Sequence, residues 1–263
     1  MSVPALLSAC CALIRCTLVG CALVGCGDAA SVTSRGEGGR VTADRTPRSV
    51  APLVAVEQLT GGASSNDSLP LLLTLHSRGI TPERNREFFD DFAVPMRILH
   101  LQAPIDEGNG RAWWSFRGKT RAEVSAIIHS LAERVVASLR VAEGQFRIVG
   151  EPMVLGASQG AMVVYGLALD APQAFGRAYA ISGVLFESLL SGDLSRATPL
   201  VVLHGEDDHI IEVRSGTESV QPMVEAGADI SVRTFADVPH WIMGGLKVAL
   251  HEDLQTNIAS FTP

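Results

Sequence analysis

The chain has 263 residues, 47% of them hydrophobic, with 21 Lys and Arg against 28 Asp and Glu for a formal charge of −7. That length and apolar content suit one sizeable core. The acidic balance argues against a nucleic-acid partner, whose phosphates need a basic face. Nothing in the chain reads as a Walker loop, a G-x-G-x-x-G fingerprint or a metal-ligand spacing, so no cofactor and no metal site are expected.

Residues 1–26 read as a processed leader outside the fold. Residues 5–14 are apolar, and 16–24 form a short apolar run behind Arg15. An arginine inside so broken a run argues against a stable spanning helix. Leu23-Val24-Gly25-Cys26 matches a bacterial lipobox, and Leu18-Val19-Gly20-Cys21 is a second match upstream. Cleavage before Cys26, or before Cys21, with lipidation of the thiol would leave an exported protein tethered to a bacterial envelope membrane. Loss of Arg15 would take the charge from −7 to −8. All five cysteines (Cys10, Cys11, Cys16, Cys21 and Cys26) lie in this leader. The remainder is therefore expected to hold no disulfide and no thiol nucleophile. Residues 27–50 mix small, polar and charged residues without apolar periodicity and read as a flexible linker. That leaves 51–263 as the folded domain.

In chain order, 53–56 reads as the first strand and 61–68 as a hairpin or loop. Leu71-Leu72-Leu73-Thr74-Leu75 is a buried strand that ends at His76. A helix follows over 83–92, then an apolar stretch over 96–101. A long helix over 119–142 carries Val124, Ile127, Ile128, Leu131, Val135 and Leu139 at helical spacing, so that face should meet a sheet. Met153-Val154-Leu155 leads as a strand into Gly156-Ala157-Ser158-Gln159-Gly160, and a helix leads out over 159–170. Further strands are expected at 199–203 and 230–235, with helices over 215–226 and 241–260. Alternating strands and helices predict a mainly parallel sheet covered on both faces. The short interval over 183–198 leaves no room for a large lid domain, which predicts an open, shallow site and small or soluble substrates.

G-x-S-x-G between a strand and a helix describes a nucleophile elbow, a sharp turn that exposes a serine at the sheet edge. Side chains at Gly156 or Gly160 would collide with the neighbouring strand and helix. A serine hydroxyl attacks only when an imidazole takes its proton. That imidazole needs a carboxylate to fix its tautomer. The tetrahedral oxyanion then needs preorganised backbone N–H donors. In this fold the acid and then the histidine follow the serine along the chain. The acid belongs in the loop after the 199–203 strand, where Glu206, Asp207 and Asp208 compete. Of seven histidines, only His240 falls on a strand-to-helix loop beyond the acid. One oxyanion donor is expected at the amide of Gln159, and the other in the loop at residues 76–79.

These segments resemble the carboxylesterase/phospholipase family of α/β-hydrolases, which includes acyl-protein thioesterases. The resemblance runs from about residue 69 to the C-terminus. It rests on Leu75-His76, Gly110-Arg111-Ala112-Trp113-Trp114, the elbow with Gln159, His204-Gly205 with an aspartate four beyond the histidine, and the late His240. It implies Asp208 as the acid and Arg78 as the second oxyanion donor. This chain has Ser77 where the family usually has glycine, and a side chain there narrows the backbone angles available. Trp113 and Trp114 are expected either to pack in the core or to wall a substrate site. The function implied is a serine hydrolase acting on small carboxylic esters or thioesters through an acyl-enzyme. A lysophospholipase, a polyester-cleaving enzyme and a non-catalytic binding lipoprotein are the alternatives.

Overall fold

The computed structural model describes residues 50–261. The leader with its Cys26 and Cys21, and the linker apart from Val50, lie outside the described residues. The strands are β1 (Ala55–Thr60), β2 (Leu71–Leu75), β3 (Met96–Leu101), β4 (Ile105–Glu107), β5 (Gly110–Ala112), β6 (Met153–Ala157), β7 (Arg177–Ile181), β8 (Leu200–Gly205) and β9 (Ile230–Phe235). The helices are α1 (Pro82–Asn85), α2 (Arg121–Gln145), α3 (Gln159–Asp170), α4 (Val213–Glu218), α5 (Gln221–Glu225) and α6 (Gly244–Ala259). Seven of the strands form one sheet in the order β1-β3-β2-β6-β7-β8-β9. All its pairings are parallel except the first, where Ala55 sits opposite Leu101 in antiparallel register. β4 and β5 form a separate hairpin.

Strands buried on both faces read as continuous apolar runs, and successive side chains serve opposite layers. Leu71, Leu73 and Leu75 of β2 enter the core under α2 and α3, while Leu72 enters the core under α6. β8 repeats the pattern, with Leu200 and Val202 on the first side and Val201 and Leu203 on the second. On α2, Val124, Ile128, Leu131, Val135 and Leu139 are buried at helical spacing, with Ile127 at their margin. A capping box starts that helix: the Thr120 hydroxyl accepts from the Glu123 amide, and the Glu123 carboxylate accepts from the Thr120 amide.

Four local expectations are corrected. The first strand begins at Ala55 rather than residue 53 and pairs with β3, and of the two readings of residues 61–68 the structure shows the loop. The helix expected over 83–92 is one turn capped by Thr81, and it tightens into a 3₁₀ turn over Arg86–Phe89. Phe89 closes that turn, the Phe92 amide donates to the Phe89 carbonyl just beyond it, and both rings are buried in the core under α6. The helix expected over 215–226 breaks between α4 and α5. Ser219 turns its hydroxyl to the Gly216 carbonyl and accepts from the Leu185 amide, and Pro222 has no N–H to continue the ladder. The last helix starts at Gly244 rather than at residue 241, which leaves His240 on a loop.

From β3 the chain crosses β2 to reach β6, so the order reverses around β2. Ligands of open α/β sheets bind at such a switch point, beyond the carboxyl ends of the strands. The loop after β2, the turn after β6, and the loops after β8 and β9 all open there.

Candidate active site

Ser158 occupies the turn between β6 and α3 with φ 53° and ψ −114°. A non-glycine residue held there costs on the order of 1–3 kcal/mol and persists only where its surroundings enforce it. The enforcement is visible on both sides of the serine. A Cβ on Gly156 would lie 2.3 Å from the Gly160 carbonyl oxygen, and one on Gly160 would lie 2.2 Å from the Leu75 carbonyl oxygen. The turn therefore closes only with glycine at both places. The Ser158 amide is held by the Ile181 carbonyl at 2.8 Å.

His240 reaches this serine from the loop after β9. Its Nε2 accepts from the Ser158 Oγ at 2.8 Å, and its Nδ1 donates to Asp208 Oδ2 at 2.6 Å. The loop is fixed by close packing on β8, where a Cβ on Gly205 would lie 2.1 Å from the Val238 carbonyl oxygen. The Asp207 amide also donates to that carbonyl.

Of the three competing acids, Asp208 alone is buried. Glu206 is exposed and accepts from the Thr234 hydroxyl, and Asp207 is exposed. Asp208 Oδ1 accepts from the amides of Ile210 and Ile211 at 2.8 and 2.9 Å. His204 Nε2 lies 3.1 Å from Oδ2 and donates to the Ile211 carbonyl at 2.8 Å. Burial alone would raise the Asp208 carboxyl. The hydrogen bonds from His204, His240 and the Ile211 amide outweigh it and hold the group well below the usual carboxylate range.

The loop after β2 is pinned from below. His76 Nε2 accepts from the Ala103 amide, so its Nδ1 carries the proton and donates to the Ser77 carbonyl at 2.8 Å. A peptide unit is planar and trans, so anchoring the Ser77 carbonyl also sets the direction of the Arg78 N–H. Trp113 Nε1 fixes the preceding unit by donating to the His76 carbonyl. Among the described residues, neither the Arg78 N–H nor the Gln159 N–H meets a protein acceptor. The Arg78 side chain points away to pair with Glu107.

Trp113 and Trp114 are both fully buried, so the structure places the pair in the core. Neither lines the cavity beside His240, and their backbone holds the elbow instead. The Gln159 side chain accepts from the Trp113 amide and donates to the Trp114 carbonyl, both at 2.8 Å. That clamp, and the anchoring of the loop by His76, were not foreseen from sequence. A glutamine directly after the elbow serine was the available signal.

Beside His240 lies a cavity of about 220 Å³. Ser77 and Ile80 bound it on the β2 side, Trp241 and Ile242 on the β9 side, and Phe88 and Ser182 line it as well. Two short 3₁₀ turns, Glu187–Leu189 and Leu194–Arg196, are the helical content between β7 and β8, so no large lid stands over the site among the described residues.

A mainly parallel sheet covered on both faces, with a serine on a forced strand-to-helix turn, is the α/β-hydrolase fold. The sequence model of the phospholipase/carboxylesterase family matches residues 101–258, well over half of the chain, and the chain belongs to that family. Ser158, Asp208 and His240 fall inside the matched stretch, and Arg78 falls outside it. The esterase YpfH of Escherichia coli (strain K12) is 25% identical over 178 residues, which cover 65% of this chain and 76% of that protein. The crystal structure of esterase PE8 superposes with a TM-score of 0.66 at 18% identity, covering 78% of this chain and 99% of the other. The carboxylesterase from Mesorhizobium loti gives 0.62 at 17% identity, over 78% and 99%.

Proposed function

We infer that the protein is a serine hydrolase of small carboxylic esters, and of thioesters of similar size, acting through an acyl-enzyme. The observation that carries this reading is the unbroken relay from the Ser158 Oγ through His240 to Asp208, at 2.8 and 2.6 Å. Family membership supplies the chemistry class. Ser158 attacks the carbonyl carbon as its proton passes to His240 Nε2. Asp208 stabilises the imidazolium and remains ionised itself. The N–H groups of Gln159 and Arg78 receive the oxyanion, and each such donor lowers the barrier by on the order of 3 kcal/mol. Collapse of the intermediate passes the proton to the leaving alkoxide or thiolate. Water activated by His240 then releases the acid.

Turnover of a 4-nitrophenyl ester by wild type beside Ser158→Ala, with fluorophosphonate labelling of both, tests the assignment. The variant is expected to fold, to lose labelling and to retain less than about a thousandth of the turnover. Retained turnover would remove Ser158 from the mechanism. The lipobox supports a second element of the reading, an exported enzyme held at a membrane through Cys26. Membrane fractions of cells making Cys26→Ser should lose the protein to the soluble fraction, whereas unchanged association would require another tether.

A further inference from the structure

The loop that carries His240 also presents a large aromatic side chain. Trp241 is 51% exposed, although His240 before it and Ile242 after it are both buried. Its amide donates to the Pro239 carbonyl at 2.8 Å, a three-residue turn that fixes the backbone at this point. The indole stands nearly perpendicular to the His240 ring, with centroids 6.0 Å apart. A lone exposed aromatic residue on a protein surface needs no special account. This one is held beside the imidazole that moves the proton, and it lines the cavity that the same imidazole lines.

Ile80, Phe88, Ile181 and Ile242 add further apolar lining. Ser77, Arg84 and Glu87 line the cavity as well, and the last two are exposed. Their opposite charges give the cavity no net sign, and as exposed groups they stay hydrated while hydrocarbon fills the apolar part. Size points the same way. An apolar cavity of about 150 Å³ lined by aliphatic and aromatic side chains is enough to take up benzene. The volume here, about 220 Å³, holds a six-membered ring with a short stem.

Building on the ester-hydrolase reading, we propose that this cavity is a substrate subsite for a phenyl-sized apolar ring, and that Trp241 is the wall that selects it. The ring belongs either to the acyl group or to the alcohol, and paired substrates separate the two. The acyl pair is ethyl butanoate and ethyl 3-phenylpropanoate. The alcohol pair is propyl acetate and 2-phenylethyl acetate. Each pair exchanges a terminal methyl for a phenyl, and neither brings a nitrophenyl ring that would compete for the cavity. Letting both members of a pair compete in one reaction gives a ratio of kcat/KM that does not depend on how much enzyme is active. Wild type is expected to favour the phenyl member of one pair by about 3- to 40-fold, the range for exchanging a buried methyl for a buried ring. Trp241→Ala should lower that ratio by about 2- to 10-fold, the range of one aromatic pair, and Trp241→Phe should keep most of it. A wild-type ratio near one in both pairs, or a ratio that Trp241→Ala leaves unchanged, overturns the subsite. So does a larger preference of wild type for monoethyl butanedioate or ethyl 4-aminobutanoate, which would give the cavity to Arg84 or Glu87. Absence of ethyl butanoate turnover and of fluorophosphonate labelling in wild type would instead overturn the hydrolase reading beneath it.

Discussion

Asp208 illustrates how a single carboxylate is held ready. Two amides bind one of its oxygens, His240 binds the other, and His204 stands 3.1 Å from that same atom. His204 Nε2 faces two acceptors, and its buried Nδ1 has no partner among the described residues. An N–H at Nε2 thus fits, and it ties the Ile211 carbonyl to β8. His204→Phe should lower kcat by about 10- to 150-fold with little change in KM, because one lost hydrogen bond to a charged network is worth roughly 1.5–3 kcal/mol. His204→Gln, which can return an N–H to the same region, should recover part of the loss. An unchanged kcat in the Phe variant would show that His204 positions nothing. Asp208→Asn keeps the shape but removes the acceptor that His240 Nδ1–H needs, so kcat should fall by about 10³–10⁴ while the protein stays folded by circular dichroism. At this scale the sequence spoke unevenly. Ser158 and His240 were legible from order and spacing alone. Asp208 needed the family resemblance, because three acids in a row carry no local mark of which one turns inward.

At the scale of elements, the piece that shapes the cavity is short and depends on a buried polar cluster for its position. His100 of β3 accepts at Nδ1 from Thr74 and Asn85 and donates from Nε2 to Gln58, whose amide nitrogen reaches Asp90. The cluster joins β1, β2, β3 and α1 in one buried patch. Burial pushes His100 down to about 3, with a smaller contribution from the charge of Arg86. Its folded-state value lies below its unfolded value, near 6.5, so the unfolded chain binds the extra proton first. Stability should therefore decline as pH falls below about 6.5, and go on declining toward 3. In urea titrations between pH 7.5 and 4.5, His100→Asn should show a shallower decline in midpoint than wild type. Parallel curves would mean that His100 contributes nothing to the acid response. Sequence placed α3 at its observed limits and β9 likewise, since periodicity and the elbow mark both. It overextended the helix after β2 and the helix after β8. The apolar pattern there continues past points where Ser219 and Pro222 interrupt the backbone ladder, and where the chain tightens into the 3₁₀ turn over Arg86–Phe89.

For the molecule as a whole, the short connection between β7 and β8 and the small cavity together set an expectation about substrates. Esters with two to four acyl carbons should be turned over faster than those with twelve or more. The rate should rise smoothly through the concentration at which a long-chain ester forms micelles. A sharp jump there would mean that an interface opens the site. Layer order, the parallel sheet and the brief β7–β8 connection were readable from alternating patterns. The cavity was not, because it is bounded by residues 77–88, 182 and 240–242, whose approach is visible only once the strands are in order.

The relay draws its three members from the ends of three strands, and the loop that aims Arg78 leaves a fourth. No fragment shorter than about 160 residues contains all of them, and no fragment lacking β2 or α6 retains both cores. Covalent capture of the serine is therefore a report on the integrity of the entire folded region. In rising denaturant, labelling and helix signal should vanish in one transition, and earlier loss of labelling would locate a weaker, separately melting rim.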